Sequence, residues 1–310
     1  MDTINRKSIA ATAHRINAYV RQTPVMQCEL DGKPVELKLE ALQISGTFKA
    51  RGAFNRLLSN PESQQVGVAA ASGGNHGIAV ATAARSLQYP AHIFVPGVTP
   101  EAKRSKLRNL GARLTVVGEH YADAAAACQE FIQSTGALSC HAYDQVETLN
   151  GQGTVAMEWL AQSSGLDTML VAVGGGGLIG GMSAWCQGET KLIAVESVGC
   201  PTLHEALAAG QPTDVTVGGL AADSLGARRV GELMFPLAKR YIETSLLVTD
   251  EQIRKAQQYA WANLNLLLEP GGAAALAALL SNVYRPEADE RIGVLICGSN
   301  TRGPDEFEPD

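Results

Sequence analysis

Apolar positions in this chain follow two periods that alternate along most of its length. Val35, Leu37 and Leu39 alternate with Glu36, Lys38 and Glu40, the period-two pattern of a half-buried strand. From Phe48 the period lengthens, and Ala50, Ala53, Phe54 and Leu57 recur at helical spacing. A continuous apolar run over 66–71 predicts a buried strand, followed by a loop at Ser72 and a helix to about Leu87. Runs at 92–95, 113–117 and 137–140 predict three more strands separated by helices, with Gly111 and Gly136 where helix stops are expected. Beyond Gly151 the pattern predicts a helix, a strand over 169–173, a helix from Ile179, and strands at 192–196, 242–248 and 292–297. Thr249 and Gln252 form a capping-box signature for the helix between the last two. Strands alternating with helices predict an α/β protein with parallel sheets flanked by helices. The acidic tail over 305–310 reads as loose.

Composition narrows this picture. A chain of 310 residues is near the upper limit for one hydrophobic core, so two lobes are expected. With 45% apolar and 18% charged residues it reads as a soluble globular protein. A formal charge of −6 argues against a nucleic-acid partner, because no dense basic cluster offsets it. The densest basic group, Lys103, Arg104, Lys106 and Arg108, reads as the solvated face of a short helix after Pro100. Six cysteines without a CxxC pair or a histidine cluster argue against zinc. The segment 1–19 is charged and amphipathic rather than an apolar signal core, so a cytoplasmic, unprocessed protein is expected. The longest uncharged run, 169–185, contains six glycines and is too short for a bilayer span. There is no internal repeat, and composition alone marks no domain boundary.

Four stretches carry candidate chemistry, and each follows a predicted strand, where open parallel sheets build their ligand crevice. In 45–52, Ser-Gly-Thr-Phe-Lys-Ala-Arg-Gly, Lys49 opens a helix. A free lysine titrates near pH ~10.4, whereas a desolvated one stays neutral and can condense with a carbonyl. Gly174, Gly175, Gly176 and Gly177 lie between a buried strand and a helix, where bare backbone N–H groups can cradle a phosphate. They lack the pattern that binds a nucleotide triphosphate. Ser72, Gly73, Gly74, Asn75 and His76 offer a hydroxyl, an amide and free N–H groups suited to a carboxylate. Cys297, followed by Gly298, Ser299 and Asn300, ends the last strand. Each has a plainer reading too: a surface lysine, a flexible turn, a helix N-cap at Ser72 with a packed His76, and a buried structural thiol. The conjunction in this order is more specific than any member.

That conjunction, SGTFKARGA, then SGGNHG, then GGGG, then CGSN, resembles the fold type II pyridoxal phosphate enzymes. Within them it is most similar to the serine/threonine dehydratases (ammonia-lyases) and the serine racemases. The resemblance runs over nearly the whole chain, including Gly151-Gln152-Gly153-Thr154, Leu268-Glu269-Pro270 and Ala222-Asp223-Ser224, where the family has Ala-Asp-Gly. It implies a two-domain fold like that of the tryptophan synthase β chain, with a large domain over 1–65 and 145–310, a small inserted domain over 66–144, and the site between them. It implies that pyridoxal 5'-phosphate is joined to Lys49, that Phe48 packs beside its ring, and that Asn75 meets the ring 3-hydroxyl. Gly174 to Gly177 would hold the phosphate, the Ser72 loop the substrate carboxylate, and Cys297 the pyridine nitrogen, where serine is usual. A homodimer and a small hydroxy-amino-acid substrate are implied as well. Biosynthetic threonine dehydratases carry a further regulatory domain, and feedback through one is not expected here.

Chemistry then ranks the activities. A thiol is a weak partner for the pyridine nitrogen, so charge left at Cα is better discharged by expelling a β-substituent than by transamination. β-Elimination from L-threonine or L-serine, with Lys49 taking the Cα proton and yielding a 2-oxo acid and ammonia, is therefore expected. Serine racemases carry a second serine where Gly73 stands, and glycine supplies no proton carrier for the opposite face. A racemase and a 3-hydroxyaspartate dehydratase remain alternatives; the latter needs a cation facing the second carboxylate, with Arg51, Arg228 and Arg229 as candidates. A catalytically silent ligand-binding protein on the same fold is the alternative outside enzymes. Related enzymes bind a cation at positions that here are Glu196, Cys200 and Thr202; a neutral hydroxyl at the last favours a monovalent ion such as K+ over Mg2+ or Ca2+. The plainer reading of these three is a loop before the helix starting near Pro201.

Overall fold

A computed structural model describes residues 4–30, 32–301 and 303. The acidic tail 305–310 lies outside the described residues. Among the described residues, ten strands form two sheets. They are β1 (Val25–Leu30), β2 (Lys33–Lys38), β3 (Val68–Ala71), β4 (Ala91–Val95), β5 (Arg113–Val116), β6 (Leu138–Ser139), β7 (Thr168–Ala172), β8 (Lys191–Ser197), β9 (Ile242–Val248) and β10 (Ile292–Leu295). The larger sheet has the order β1-β2-β10-β7-β8-β9, and every neighbouring pair in it is parallel except β1 with β2. The smaller sheet, β5-β4-β3-β6, is parallel throughout. β7 and β10 are buried along their whole length, which is why they read as unbroken apolar runs. β1 eluded the periodicity because this edge strand is half-exposed and does not alternate strictly.

The helices include α1 (Arg6–Ile16), α2 (Lys49–Leu58), α3 (Asn75–Leu87), α4 (Glu101–Asn109), α5 (Tyr121–Thr135), α6 (Val146–Gln162), α7 (Gly177–Cys186) and α8 (Thr202–Ala209). The helix Asp250–Leu264 has the capping box expected at its start, with Thr249 accepting from the Gln252 amide. Two boundaries differ from the sequence pattern in informative ways. α7 begins at Gly177, so the last glycine of the run is already helical. β10 stops at Leu295 because the next carbonyls leave the sheet: Ile296 O accepts from Ala41 N at 2.9 Å and Cys297 O from Phe48 N at 3.3 Å. The last strand is thereby tied to the segment that carries Lys49.

Each sheet has its own apolar cluster. Trp159, Met169, Leu170, Val195 and Leu276 belong to the large one, and Val80, Ile93, Val95 and Leu107 to the small one. The expected division at 65/66 and 144/145 separates the strands of the two sheets, but Ile16 and the Phe54 and Leu57 side chains of α2 pack into the small cluster. α2 thus bridges the lobes. It is held on its other face by a buried charge network. Arg51 donates to Glu40 Oε1 at 2.6 Å and Oε2 at 2.9 Å and to both oxygens of Glu158, which also accepts from Lys38 at 2.6 Å. Five guanidinium donors in a fixed fork suit this double carboxylate grip.

Candidate active site

In a parallel sheet all strands end on the same side, so loops after neighbouring strands share one edge. β7 leads into Gly174, its neighbour β10 leads into Cys297, and β3 of the smaller sheet leads into Ser72. Phe48, Lys49, Asn75, all four residues of the glycine run, Ser224, Glu269, Gly271 and Cys297 line a single cleft of about 470 Å3. The motifs separated by up to 248 positions in sequence, Lys49 to Cys297, are here brought together.

Lys49 is the first residue of α2 and its ammonium lies 5.2 Å from the centre of the Phe48 ring, donating to Ala142 O at 2.8 Å. Burial lowers its pKa to about 8, against the opposing pull of Cys297, Cys140 and Glu269. The glycine run is packed where side chains have no room. A Cβ on Gly175 would stand 2.3 Å from the Tyr143 ring, and Gly176 adopts φ +84° at the N-cap of α7. The result is a lining of backbone alone, ending at a helix N-terminus.

Asn75 opens α3 and is held at both ends: Nδ2 donates to Glu269 Oε1 at 2.7 Å, and Oδ1 accepts from Asn300 Nδ2 at 2.7 Å. Burial pushes Glu269 up to about 7 although the Asn75 hydrogen bond opposes it. Cys297 is buried, its thiol faces Gly271 O at 3.3 Å, and burial raises its pKa far above the ordinary range, so it is a neutral thiol. Ser72 Oγ accepts from Gly74 N at 3.3 Å, and of this loop it is Asn75, not Ser72, Gly73 or Gly74, that lines the cleft. A Cβ on Gly73 would lie 2.6 Å from Thr99 Cγ2. His76 turns away: its Nε2 sits 2.7 Å from Cys140 O, and burial followed by the Lys49 charge lowers its pKa to about 3.

The cation candidates lie around the start of α8, each with a protein partner. Glu196 is buried and its carboxylate accepts from Leu203 N at 2.7 Å, His204 N at 2.8 Å and Ser245 Oγ at 2.6 Å, so it caps α8. Thr202 donates to Ala227 O at 2.8 Å and the Cys200 thiol faces Gly218 O. Among the described residues no group of three His, Cys, Asp or Glu could hold a metal ion. Of the arginines considered for a second carboxylate, Arg51 is spent in the buried network and Arg229 pairs with Glu232 and Asp214 on the surface.

The periodicity misplaced one group. Lys103 and Lys106 of α4 do not simply face solvent; Lys103 pairs with Asp223 and Lys106 donates to Asn300 Oδ1 at 2.8 Å, both across the cleft. Glu269, Tyr143 and Ser224 also escaped the sequence reading as site residues. Glu269 carried a signal, an acidic residue just before a proline that starts the helix Pro270–Leu280. Tyr143 carried none. No helix among the described residues is long and apolar enough to cross a membrane.

Known proteins resemble this chain over most of its length. The family described as pyridoxal-phosphate dependent enzyme matches residues 16–298. A phenylserine dehydratase of Ralstonia pickettii is 34% identical over 302 residues, covering 95% of this chain and 92% of its own. An L-threonine ammonia-lyase of Thermotoga maritima is 33% identical over 276 residues, 88% of this chain and 68% of its own. Among solved structures, maize serine racemase superposes with a TM-score of 0.93 at 30% identity, covering 98% of this chain and 96% of its own.

Proposed function

From a chain that belongs to the pyridoxal-phosphate dependent enzymes and has their fold type II architecture, we infer a lyase that dehydrates L-threonine and L-serine and releases ammonia when the product enamine takes water back up. The residues present fit pyridoxal phosphate: a half-buried amine with a lowered pKa lines the same cleft as a glycine run that offers backbone alone. Lys49 would hold the aldehyde, Gly174 to Gly177 the phosphate, Asn75 the ring oxygen and Cys297 the ring nitrogen. When bound, the cofactor withdraws electrons from the amino-acid Cα and so makes its proton removable.

The chain's own groups then determine the outcome. Lys49, neutral in a large fraction of molecules near its pKa of about 8, is suited to accept the Cα proton. The backbone of the Ser72 loop at the start of α3 is suited to grip the substrate carboxylate. The neutral Cys297 thiol brings no negative charge to stabilise a protonated ring nitrogen, which favours breaking the Cβ–O bond. Loss of the β-hydroxyl as water leaves an enamine, which water hydrolyses to 2-oxobutanoate or pyruvate and ammonia.

The observation that carries elimination over racemisation is Gly73. A serine hydroxyl there would be the proton carrier for the second face, yet even its Cβ would collide with Thr99. The superposition on a serine racemase keeps racemisation as the second reading. Incubation of the holoenzyme with L-serine, L-threonine, L-phenylserine and both 3-hydroxyaspartate diastereomers, with 2-oxo acid and D-serine measured together, separates them. Oxo acid should outrun D-serine at least tenfold; D-serine formed faster than pyruvate would reverse the assignment.

A further inference from the structure

Three hydrogen bonds in series cross between the lobes beside the cleft. Lys106 of α4 donates to Asn300 Oδ1 at 2.8 Å, Asn300 Nδ2 donates to Asn75 Oδ1 at 2.7 Å, and Asn75 Nδ2 donates to Glu269 Oε1 at 2.7 Å. The first and third of these four residues come from the small lobe, the second and fourth from the large one. Asn300 Nδ2 also donates to Ser45 O at 3.1 Å.

A carboxamide can turn over with little change of shape, so the direction of such a series must be fixed from its ends. Lys106 has only donors and therefore requires the oxygen of Asn300, while the Ser45 carbonyl requires its NH2. Asn75 must then turn its oxygen to Asn300 and its NH2 to Glu269, a carboxylate that lines the cleft. Lys106 makes no ion pair among the described residues, so its charge is free to polarise Asn300.

We propose that Asn300 is a positioning residue that fixes which end of the Asn75 amide faces the cleft, and that Lys106 locks Asn300 in that orientation when the lobes are together. This rests on the reading that pyridoxal phosphate occupies the cleft beside Asn75, and not on the reaction it supports.

Asn300→Asp separates direction from mere attachment. It is isosteric and pairs more strongly with Lys106, so it keeps the lobes joined. It has no N–H for Asn75 or Ser45, so it removes the orientation. Apoprotein of wild type, Asn300→Asp, Lys106→Met and Lys106→Arg is titrated with pyridoxal phosphate, following affinity and the visible absorption band, with thermal midpoints as a folding check. Asn300→Asp should bind about tenfold more weakly with a displaced band, Lys106→Met about threefold more weakly, and Lys106→Arg like wild type, the sizes expected of one hydrogen bond of about 1 kcal/mol. Affinity and band unchanged in Asn300→Asp would overturn the proposal, as would Asn300→Asp binding more tightly than wild type. A wild-type protein with no visible band would instead remove the cofactor reading and this inference with it.

Discussion

The lysine at 49 shows how position creates a reagent. The same side chain on the surface would be a solvated cation, but at the start of α2, half-buried beside Phe48, its pKa falls from 10.5 to about 8. In cofactor-free protein this has a signed consequence. Between pH 8 and 10.5 the unfolded chain holds a proton at Lys49 that the folded chain has lost, so stability rises with pH across that window. Below pH 8 both states are protonated and the cost of burying the charge is fully present. Thermal midpoints of apoprotein from pH 7 to 10.5 should climb more steeply for wild type than for Lys49→Met; parallel curves would show the amine to be unperturbed. Gly73 offers a second test at this scale. Gly73→Ser should depress oxo-acid formation by about a hundredfold, the cost of a misplacement of about 1 Å, because the new side chain meets Thr99. Adding Thr99→Ala should recover part of the rate, which steady-state kinetics would show.

At the scale of elements, α2 is the part on which the site depends. It carries Lys49 on one end and contributes Phe54 and Leu57 to the small-lobe cluster, while Arg51 fastens it to Glu40 and Glu158. Arg51→Met leaves the buried Glu40 carboxylate without its cation, while Glu158 keeps Lys38, and should cost about 3–5 kcal/mol of unfolding free energy in urea titration. The glycine run is the other dependent element. Gly175→Ala should lose about 1–3 kcal/mol by overpacking against Tyr143, and its apoprotein should bind pyridoxal phosphate more weakly in the same titration.

Much of this was legible in the sequence, for identifiable reasons. β7 and β10 are buried on both faces and so appear as apolar runs, and Gly174 to Gly177 mark the turn after β7. What was not legible depends on packing between lobes. Lys103 and Lys106 fall on a helix whose pattern is that of a solvated face, and only the placement of α4 across the cleft turns them toward Asp223 and Asn300. The hydrogen bonds of Glu196 to the start of α8 and to Ser245 are likewise tertiary and leave no trace in the spacing. Tyr143 lies in a loop with no periodicity, and its approach to Gly175 and Gly177 is purely tertiary.

For the whole molecule, the arrangement is two sheets, parallel except for β1, with separate cores bridged by α2. The cleft lies between Asn75 of one lobe and the glycine run of the other, so contacts that hold the lobes together should bear on affinity more than on folding. The pair Lys103 and Asp223 is such a contact, with Asp223 largely exposed. Asp223→Ala should raise KM for L-threonine while moving the thermal midpoint little, since exposed pairs contribute only about 0–1 kcal/mol. Equal losses in both would place this pair in the folded core instead.

The central claim is that Lys49 carries a β-elimination in this cleft, and the most direct test is product stoichiometry. Holoenzyme given L-threonine should release 2-oxobutanoate and ammonia in equal amounts, and Lys49→Ala should slow this by at least about 10³-fold. Ammonia without the oxo acid, or a Lys49→Ala enzyme that keeps most of its turnover, would contradict it.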